Sequence, residues 1–169
     1  MITMDLSIII PFYNEVGNIP RIQREFFPVA SHLAESCSLE VILVDDGSTD
    51  GTGRVLKDVL GTDYPPRISI TIKRHPVNRG LGAALRTGFA AACGEAVVTT
   101  DSDGTYEFSE IPALLFHLTR GIDVVTASPY HPAGSVDGVP AYRLVLSRGS
   151  SVIYRFLVDW RLHTYTCLF

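Results

Sequence analysis

Acidic and polar residues follow three of the short apolar segments in this sequence. The first segment is followed by Pro11–Glu15 (PFYNE), the second by Asp45–Gly51 (DDGSTDG) and a later one by Asp101–Gly104 (DSDG). Carboxylate oxygens are the ligands that hard divalent cations take, and such cations bridge to phosphate groups. Because a cleft lined only with acids would repel a nucleoside diphosphate, we interpret the Asp-x-Asp spacing as a candidate metal site. The Asp-Asp-Gly-Ser segment could instead accept hydrogen bonds from a nucleobase or a ribose.

Each of these segments also has an ordinary structural explanation. Asp-x-Asp occurs in many turns, Asp-Gly-Ser is common turn and helix-cap chemistry, and an aromatic such as Tyr13 is more often a surface residue than a stacking platform. The co-occurrence of all three segments at the ends of successive strands is what favours a functional site. In an open parallel sheet, ligands bind outside the carboxyl ends of the strands, near the point where the strand order reverses.

The apolar segments are short, rich in β-branched residues and without polar alternation, which is typical of strands buried on both faces of a parallel sheet. The predicted strands are Leu6–Ile10, Val41–Val44, Ile68–Ile72, Ala96–Thr100 and Val124–Ala127. Helices are predicted from Asn18 towards Ser36, Thr52 to Gly61, Leu81 to Gly94, Ser109 towards Gly121, and Leu144 to Val158. We expect Pro28 to kink the first of them. This alternation predicts an α/β fold, with a Rossmann-like, mostly parallel sheet and helices on both faces.

The composition narrows the class of protein. Of the 169 residues, 46% are hydrophobic, which excludes a disordered chain. The 14 Lys and Arg residues against 18 Asp and Glu residues give a net charge of −4, which argues against a nucleic-acid partner. The three cysteines include no Cys-x-x-Cys pair and are expected to be reduced thiols. No apolar run approaches the roughly 18–20 residues of a membrane span. We therefore expect a cytoplasmic domain.

Two further patterns in the sequence give weaker indications of a site. Gly80–Leu85 (GLGAAL) matches part of the dinucleotide fingerprint, so a nicotinamide oxidoreductase is one alternative. The third glycine of that fingerprint is replaced by Leu85, and the segment follows the third strand instead of the first. The five histidines are scattered without paired spacing and are expected to be mostly surface or packing residues.

Taken together, the motifs resemble glycosyltransferase family 2, which has the GT-A fold. Within that family the sequence is most similar to the dolichol-phosphate mannose synthases and related polyprenyl-phosphate sugar transferases. The segments that carry the resemblance are SIIIPFYNE at 7–15, VDDGSTDGT at 44–52, NRGLGAA at 78–84, DSD at 101–103, and a proline-arginine-serine-arginine-glycine pattern over 140–149. The similarity covers essentially the whole chain, in order.

The resemblance implies a role for each matching position. Three residues would contact the nucleoside of the donor, three would hold the base, and Asp101 and Asp103 would bind Mg²⁺ or Mn²⁺ together with the diphosphate. Ser102 would approach the ribose through its backbone, and Arg143 would contact phosphate, so that Asp103 and Arg143 are the expected catalytic residues. The nucleoside contacts are Pro11, Tyr13 and Glu15, and the base contacts are Val44, Asp45 and Asp46.

The same resemblance implies the partners. The donor would be a nucleoside-diphosphate sugar, GDP- or UDP-linked, and the acceptor a polyprenyl phosphate at the membrane surface. The enzyme would therefore act peripherally on the cytoplasmic face of a membrane, by a single inverting displacement.

The sequence departs from the family pattern at three places. Pro129 stands where the branch has an arginine, and Thr105 where it often has a glutamine. The last residues, 164–169, resemble the start of a segment that continues in the family. We therefore expect a single GT-A-type domain over 1–169 that is incomplete at its C-terminus. Two alternatives stay open: transfer to a sugar hydroxyl, and a non-catalytic nucleotide-binding fragment or paralogue.

Overall fold

The computed structural model describes residues 5–59, 65–103 and 106–127, and eight positions further along the chain (142, 146, 149, 150, 152, 153, 156 and 157). The chain divides into two compact units, residues 1–113 and residues 114–169. All three acidic segments belong to the first unit, which holds the sheet. Among the described residues, no helix is both long enough and apolar enough to cross a bilayer.

The first unit is built on a four-stranded parallel sheet with the order β3-β2-β1-β4. The strands are β1 (Leu6–Phe12), β2 (Leu39–Asp45), β3 (Ile68–Arg74) and β4 (Ala96–Thr99). Every residue of β1 is buried, so both faces of this central strand are covered, as its unbroken apolar run predicts. Since β2 and β4 lie on opposite sides of β1, the strand order reverses between β1 and β4, which is where this class of sheet binds ligands.

The helices confirm the predicted alternation, with differences at their ends. They are α1 (Ile19–Arg21), α2 (Phe27–Ala34), α3 (Thr52–Val59), α4 (Leu81–Ala91) and α5 (Ile111–His117). The described positions between 142 and 157 are also helical, in agreement with the last predicted helix. A π-helical turn, Ile22–Phe26, joins α1 to α2 directly before Pro28. A proline ring collides with the carbonyl of the residue four before it, and the wider turn is one way to accommodate that.

The fifth predicted strand is wrong. Residues 122–127 have no regular secondary structure, and Val124 is 64% exposed. An apolar run forms a buried strand only where neighbouring strands and helices cover it, and a sequence pattern carries no information about whether that cover exists.

Close packing of α4 against the sheet sets the position of the helix start. Ile9, Ile42, Val44 and Ala84 form one buried cluster between the two layers. Gly88 faces Ile9 so closely that a Cβ at position 88 would overlap the isoleucine side chain. The glycine therefore lets α4 lie directly on β1, with its N-terminal end at the carboxyl edge of the sheet.

Candidate functional site

A cleft of about 310 Å³ opens at the carboxyl edge of the sheet. It lies at the ends of β1, β2 and β4, with the start of α4 as one wall, as expected for the point where strand order reverses. Seven of the ten residues predicted for the site line it: Pro11, Tyr13, Glu15, Asp46, Asp101, Ser102 and Asp103. The others that line it are Phe12, Asn78, Gly80, Leu81 and Ala84. The structure therefore brings together the three acidic segments that are far apart in sequence.

The two loops that follow β1 and β2 are held together by hydrogen bonds. The amide of Asn14 donates to Ser48 Oγ at 2.9 Å, and Asn14 Oδ1 accepts from the amide of Thr49 at 2.9 Å. The amide of Glu15 donates to Thr52 Oγ1 at 3.0 Å. Asn14 has φ +56°, in the left-handed region that asparagine tolerates better than most residues. These bonds fix Glu15 and its neighbours against the second loop, at the rim of the cleft.

Asp50 ties the same two loops to the start of α3. Its carboxylate accepts from the amide of Val16 at 3.1 Å, and from the amide and hydroxyl of Thr52 at 2.9 and 2.6 Å. The bond from the Thr52 hydroxyl is the main reason why the pKa of Asp50 is lowered. The supporting role of Asn14, Ser48, Asp50 and Thr52 was not predicted, although all four lie inside the sequence motifs.

The adjacent aspartates at the end of β2 have different surroundings. Asp45 is fully buried and does not line the cleft: its Oδ1 accepts from the amide of Ser48 at 2.9 Å, and its Oδ2 lies 3.1 Å from Arg74 Nε. Asp46 lines the cleft. Side chains alternate in direction along an extended chain, which is why neighbouring carboxylates separate in this way. Val44 is also fully buried and lies in the core cluster, away from the cleft lining.

His75 is a further residue next to the cleft that no sequence motif indicates. It is buried, and its Nδ1 lies 2.6 Å from Asp46 Oδ1 while its Nε2 lies 2.8 Å from Thr87 Oγ1. No spacing signal marks this histidine, since its partners are 29 and 12 residues away in the chain. His75 is therefore an exception to the expectation that most histidines are surface or packing residues, because both of its ring nitrogens have polar partners.

Four carboxylates line the cleft and concentrate negative charge there, those of Glu15, Asp46, Asp101 and Asp103. The pKa of Asp101 is raised to about 6, mainly by burial, with the negative charges of Asp103 and Glu15 adding to the effect. Ser102 is buried between the two aspartates, while Asp103 is exposed and its backbone carbonyl accepts from Arg21 Nη1 at 3.3 Å. A carboxylate with a raised pKa is one whose charge is not compensated. A divalent cation at this position would supply that compensation.

The donor set is nevertheless incomplete within the described part of the chain. No group of three or more His, Cys, Asp or Glu residues there could hold a metal ion. Asp101 and Asp103 could supply two ligands, and a bound diphosphate and water could supply the rest, which is how Mg²⁺ is usually held at phosphate sites. The predicted phosphate contact Arg143 and the departures at Thr105 and Pro129 lie outside the described residues.

Comparison with known proteins gives a consistent result. The sequence model described as "Glycosyl transferase family 2" matches residues 7–168. A polyprenol monophosphomannose synthase from Mycolicibacterium smegmatis is 36% identical over 168 residues, which is 97% of this chain and 60% of that protein. A dolichol-phosphate mannosyltransferase from Pyrococcus furiosus is 31% identical over 152 residues, 90% of this chain and 41% of the relative.

A solved structure supports the same fold. The mannosyltransferase from Pyrobaculum calidifontis, determined in complex with GDP-Man and Mn²⁺, superposes with a TM-score of 0.52 and 32% identity. The match covers 60% of this chain and 28% of that structure. The chain spans between 41% and 60% of the length of the two curated relatives.

Proposed function

The chain belongs to glycosyl transferase family 2, and on that premise we propose that it transfers a sugar from a nucleoside-diphosphate sugar to a polyprenyl phosphate. The observation that carries the proposal is the convergence of Asp46, Asp101 and Asp103 on one cleft at the switch point of a parallel sheet. Two relatives are a dolichol-phosphate mannosyltransferase and a polyprenol monophosphomannose synthase, and their names favour the lipid-phosphate acceptor.

In this proposal the nucleoside occupies the part of the cleft between the ends of β1 and β2. Pro11 and Tyr13 offer apolar and aromatic surface to the nucleoside, and Glu15 offers a carboxylate. Asp46 accepts a hydrogen bond from the base. The roles of Asp45 and Val44 are indirect, because both are buried behind the cleft and support the loop that carries Asp46.

The diphosphate lies beside Asp101 and Asp103, which hold Mg²⁺ or Mn²⁺ with it, while the backbone at Ser102 approaches the ribose. When bound, such a cation acts as a Lewis acid that stabilises the charge developing on the leaving diphosphate. The Mn²⁺ in the Pyrobaculum calidifontis structure supports this assignment. The two aspartates have unlike environments, one partly buried and one exposed, and the Arg21 contact to the Asp103 carbonyl orients the loop that carries them.

The reaction is a single displacement with inversion. An oxygen of the acceptor phosphate forms the new bond to the anomeric carbon as the bond from that carbon to the donor diphosphate breaks, and the nucleoside diphosphate leaves. A phosphate acceptor is already anionic at neutral pH, so this chemistry needs no strong general base. Arg143 completes the proposal as a contact to phosphate. The acceptor places the reaction at a membrane surface, and we propose the cytoplasmic face.

Nucleotide-dependent thermal stability of the 169-residue chain tests the donor site. GDP and UDP are compared, each with and without Mn²⁺, and we expect one of them to raise the melting temperature only when the metal is present. A ligand at 100 times its Kd stabilises the native state by about 2.7 kcal/mol. Asp103→Asn should remove the metal-dependent part of the shift in melting temperature. The control Asp58→Asn, at an exposed position on α3, should retain that shift.

Transfer of labelled sugar to a short-chain polyprenyl phosphate then tests the acceptor. Turnover with the lipid phosphate and none with a sugar hydroxyl would support the proposal. The opposite preference would favour the hydroxyl-acceptor alternative. A cooperative melt that no nucleoside diphosphate shifts would refute the donor site itself.

A further inference from the structure

His75 follows β3 directly and has both ring nitrogens engaged. The residue is 5% exposed, with Nδ1 at 2.6 Å from Asp46 Oδ1 and Nε2 at 2.8 Å from Thr87 Oγ1. A carboxylate can only accept, so Nδ1 carries the proton that is donated to Asp46. Thr87, on α4, holds the opposite side of the ring. The imidazole therefore has one orientation, and that orientation aims a donor at Asp46.

The Asp46 carboxylate is held on one side only. Its Oδ1 accepts from His75 Nδ1 and also from the amide of Arg79 at 3.0 Å. Its Oδ2 has no hydrogen bond within the described part of the chain, although Asp46 lines the cleft. Oδ2 is thus the oxygen of this carboxylate that can accept a hydrogen bond from a ligand. The two donors on Oδ1 fix the orientation of the carboxylate and therefore the position of Oδ2.

The loop that supplies both donors lies directly on the turn after Asp46. Gly47 has φ +73°, and a Cβ at this position would overlap the backbone of Val77. The backbone amide of His75 donates to the carbonyl of Asp45 at 2.9 Å, which continues the pairing of β2 and β3 by one residue. The segment that carries both donors is therefore held against the loop after β2 by a backbone hydrogen bond and a close backbone contact.

We propose that His75 is a positioning residue for nucleobase recognition. By occupying Oδ1, it leaves Oδ2 of Asp46 as the acceptor for a base N–H, and Thr87 fixes the imidazole that does so. This inference rests on the proposed nucleoside-diphosphate donor. In this proposal the His75–Thr87 pair contributes to binding of the base. The pair does not contribute to binding of the diphosphate, because the diphosphate lies at Asp101 and Asp103.

Two amide substitutions at His75 separate its two hydrogen bonds. The side-chain nitrogen of asparagine lies near the place of Nδ1, so His75→Asn retains the donor to Asp46. The nitrogen of glutamine lies near the place of Nε2, so His75→Gln retains a partner for Thr87 and leaves Oδ1 with the Arg79 amide alone. Thr87→Val removes the hydroxyl at nearly constant volume. The matched control is His32→Gln, at an exposed histidine on α2.

Binding is measured by calorimetry on the full 169-residue chain with Mn²⁺, using GDP, UDP and inorganic pyrophosphate, which has no base. For the nucleoside diphosphate that the unsubstituted protein binds, we expect His75→Gln to raise Kd about tenfold, equivalent to about 1.4 kcal/mol, the size of one hydrogen bond to a charged group. His75→Asn should stay within about threefold of the unsubstituted protein, and Thr87→Val should weaken binding by about threefold, since its effect is indirect. Pyrophosphate binding should be unchanged in all variants.

Equal losses for the nucleotide and for pyrophosphate would overturn the inference, because a merely structural role would affect both ligands. Unchanged nucleotide binding in His75→Gln would overturn it as well, while leaving the proposed donor site intact. If the unsubstituted protein binds pyrophosphate but neither nucleotide, the donor assignment fails and the inference fails with it. Thermal melting of each variant identifies any variant that does not fold. If His75→Gln does not fold, the binding constants of Thr87→Val and His75→Asn are compared instead.

Discussion

Replacing Asp101 with asparagine should make the metal-free protein more stable at neutral pH, although it removes a proposed metal ligand. The pKa of this carboxyl is raised from 3.8 to about 6, mainly by burial and then by the charges of Asp103 and Glu15. The folded state therefore binds a proton more tightly than the unfolded state does. Stability is lost as the pH rises through the window from 3.8 to about 6. An asparagine has the shape of the protonated acid and carries no charge, so it avoids that loss.

The size of the effect follows from the shift. A change of one pKa unit is worth 1.36 kcal/mol, so the full shift corresponds to roughly 3 kcal/mol. Because Asp101 is only partly buried, solvent screening reduces this to about 1–2 kcal/mol at pH 7.5. At pH 4.5 most of the carboxyl in the folded state is protonated, and the advantage of the variant should fall to about a third of its value at pH 7.5.

Urea unfolding in EDTA at pH 7.5 and pH 4.5 measures the difference between Asp101→Asn and the unsubstituted protein at each pH. Asp58→Asn, on the exposed side of α3, controls for the loss of one negative charge. Adding Mn²⁺ with the nucleotide should reverse the order of stability, since only the unsubstituted protein keeps the carboxylate. A variant that is equally stable or less stable at pH 7.5 without metal would refute the view that negative charge at this site is uncompensated.

Two further predictions concern glycines at close contacts, one between α4 and β1 and one between the loops that follow β2 and β3. Gly88→Ala should destabilise the protein by about 1–3 kcal/mol, the usual cost of overpacking, because the new methyl group overlaps Ile9. Gly82→Ala on the same helix, where a Cβ would meet only Arg86 Nη1 at 4.0 Å, should instead stabilise the protein by up to about 1 kcal/mol through helix propensity. Chemical unfolding measures both changes. Gly47→Ala should destabilise by at least about 1–2 kcal/mol from its left-handed backbone alone and should also weaken nucleotide binding, because the methyl group displaces the loop at Val77; unaltered binding in a folded Gly47→Ala protein would contradict the proposed link between this turn and the donor site.

Much of the fold could be predicted from local pattern. The runs that became β1 to β4 are apolar without alternation, and such runs need cover on both faces, which a parallel sheet with helices provides. The run at Val124–Ala127 has the same local character and is not a strand. Its residues resemble those of β4, so the difference lies in the surroundings of the segment and not in its composition.

The candidate site was predictable to the extent that it follows from strand direction. Parallel strands bring their carboxyl ends to one edge, so the residues after β1, β2 and β4 had to meet there, and the structure places Tyr13, Asp46 and Asp101 in one cleft. The separate environments of Asp45 and Asp46 were not evident beforehand. Both stand together in the sequence motif and both are buried, and only the tertiary structure shows that Asp46 is the one that lines the cleft.

The sequence by itself thus determined which residue types stand at the strand ends, because periodicity and turn chemistry are local properties. Tertiary structure alone decided that the raised pKa of Asp101 results from burial beside two other carboxylates, and that His75 and the Arg79 amide occupy one oxygen of Asp46. Apart from the nearness of Asp101 to Asp103, these properties depend on distances between residues that are tens of positions apart in the sequence. Such distances are set by the packing of α4 and the loop after β3 on the sheet, and no pattern within either segment encodes them.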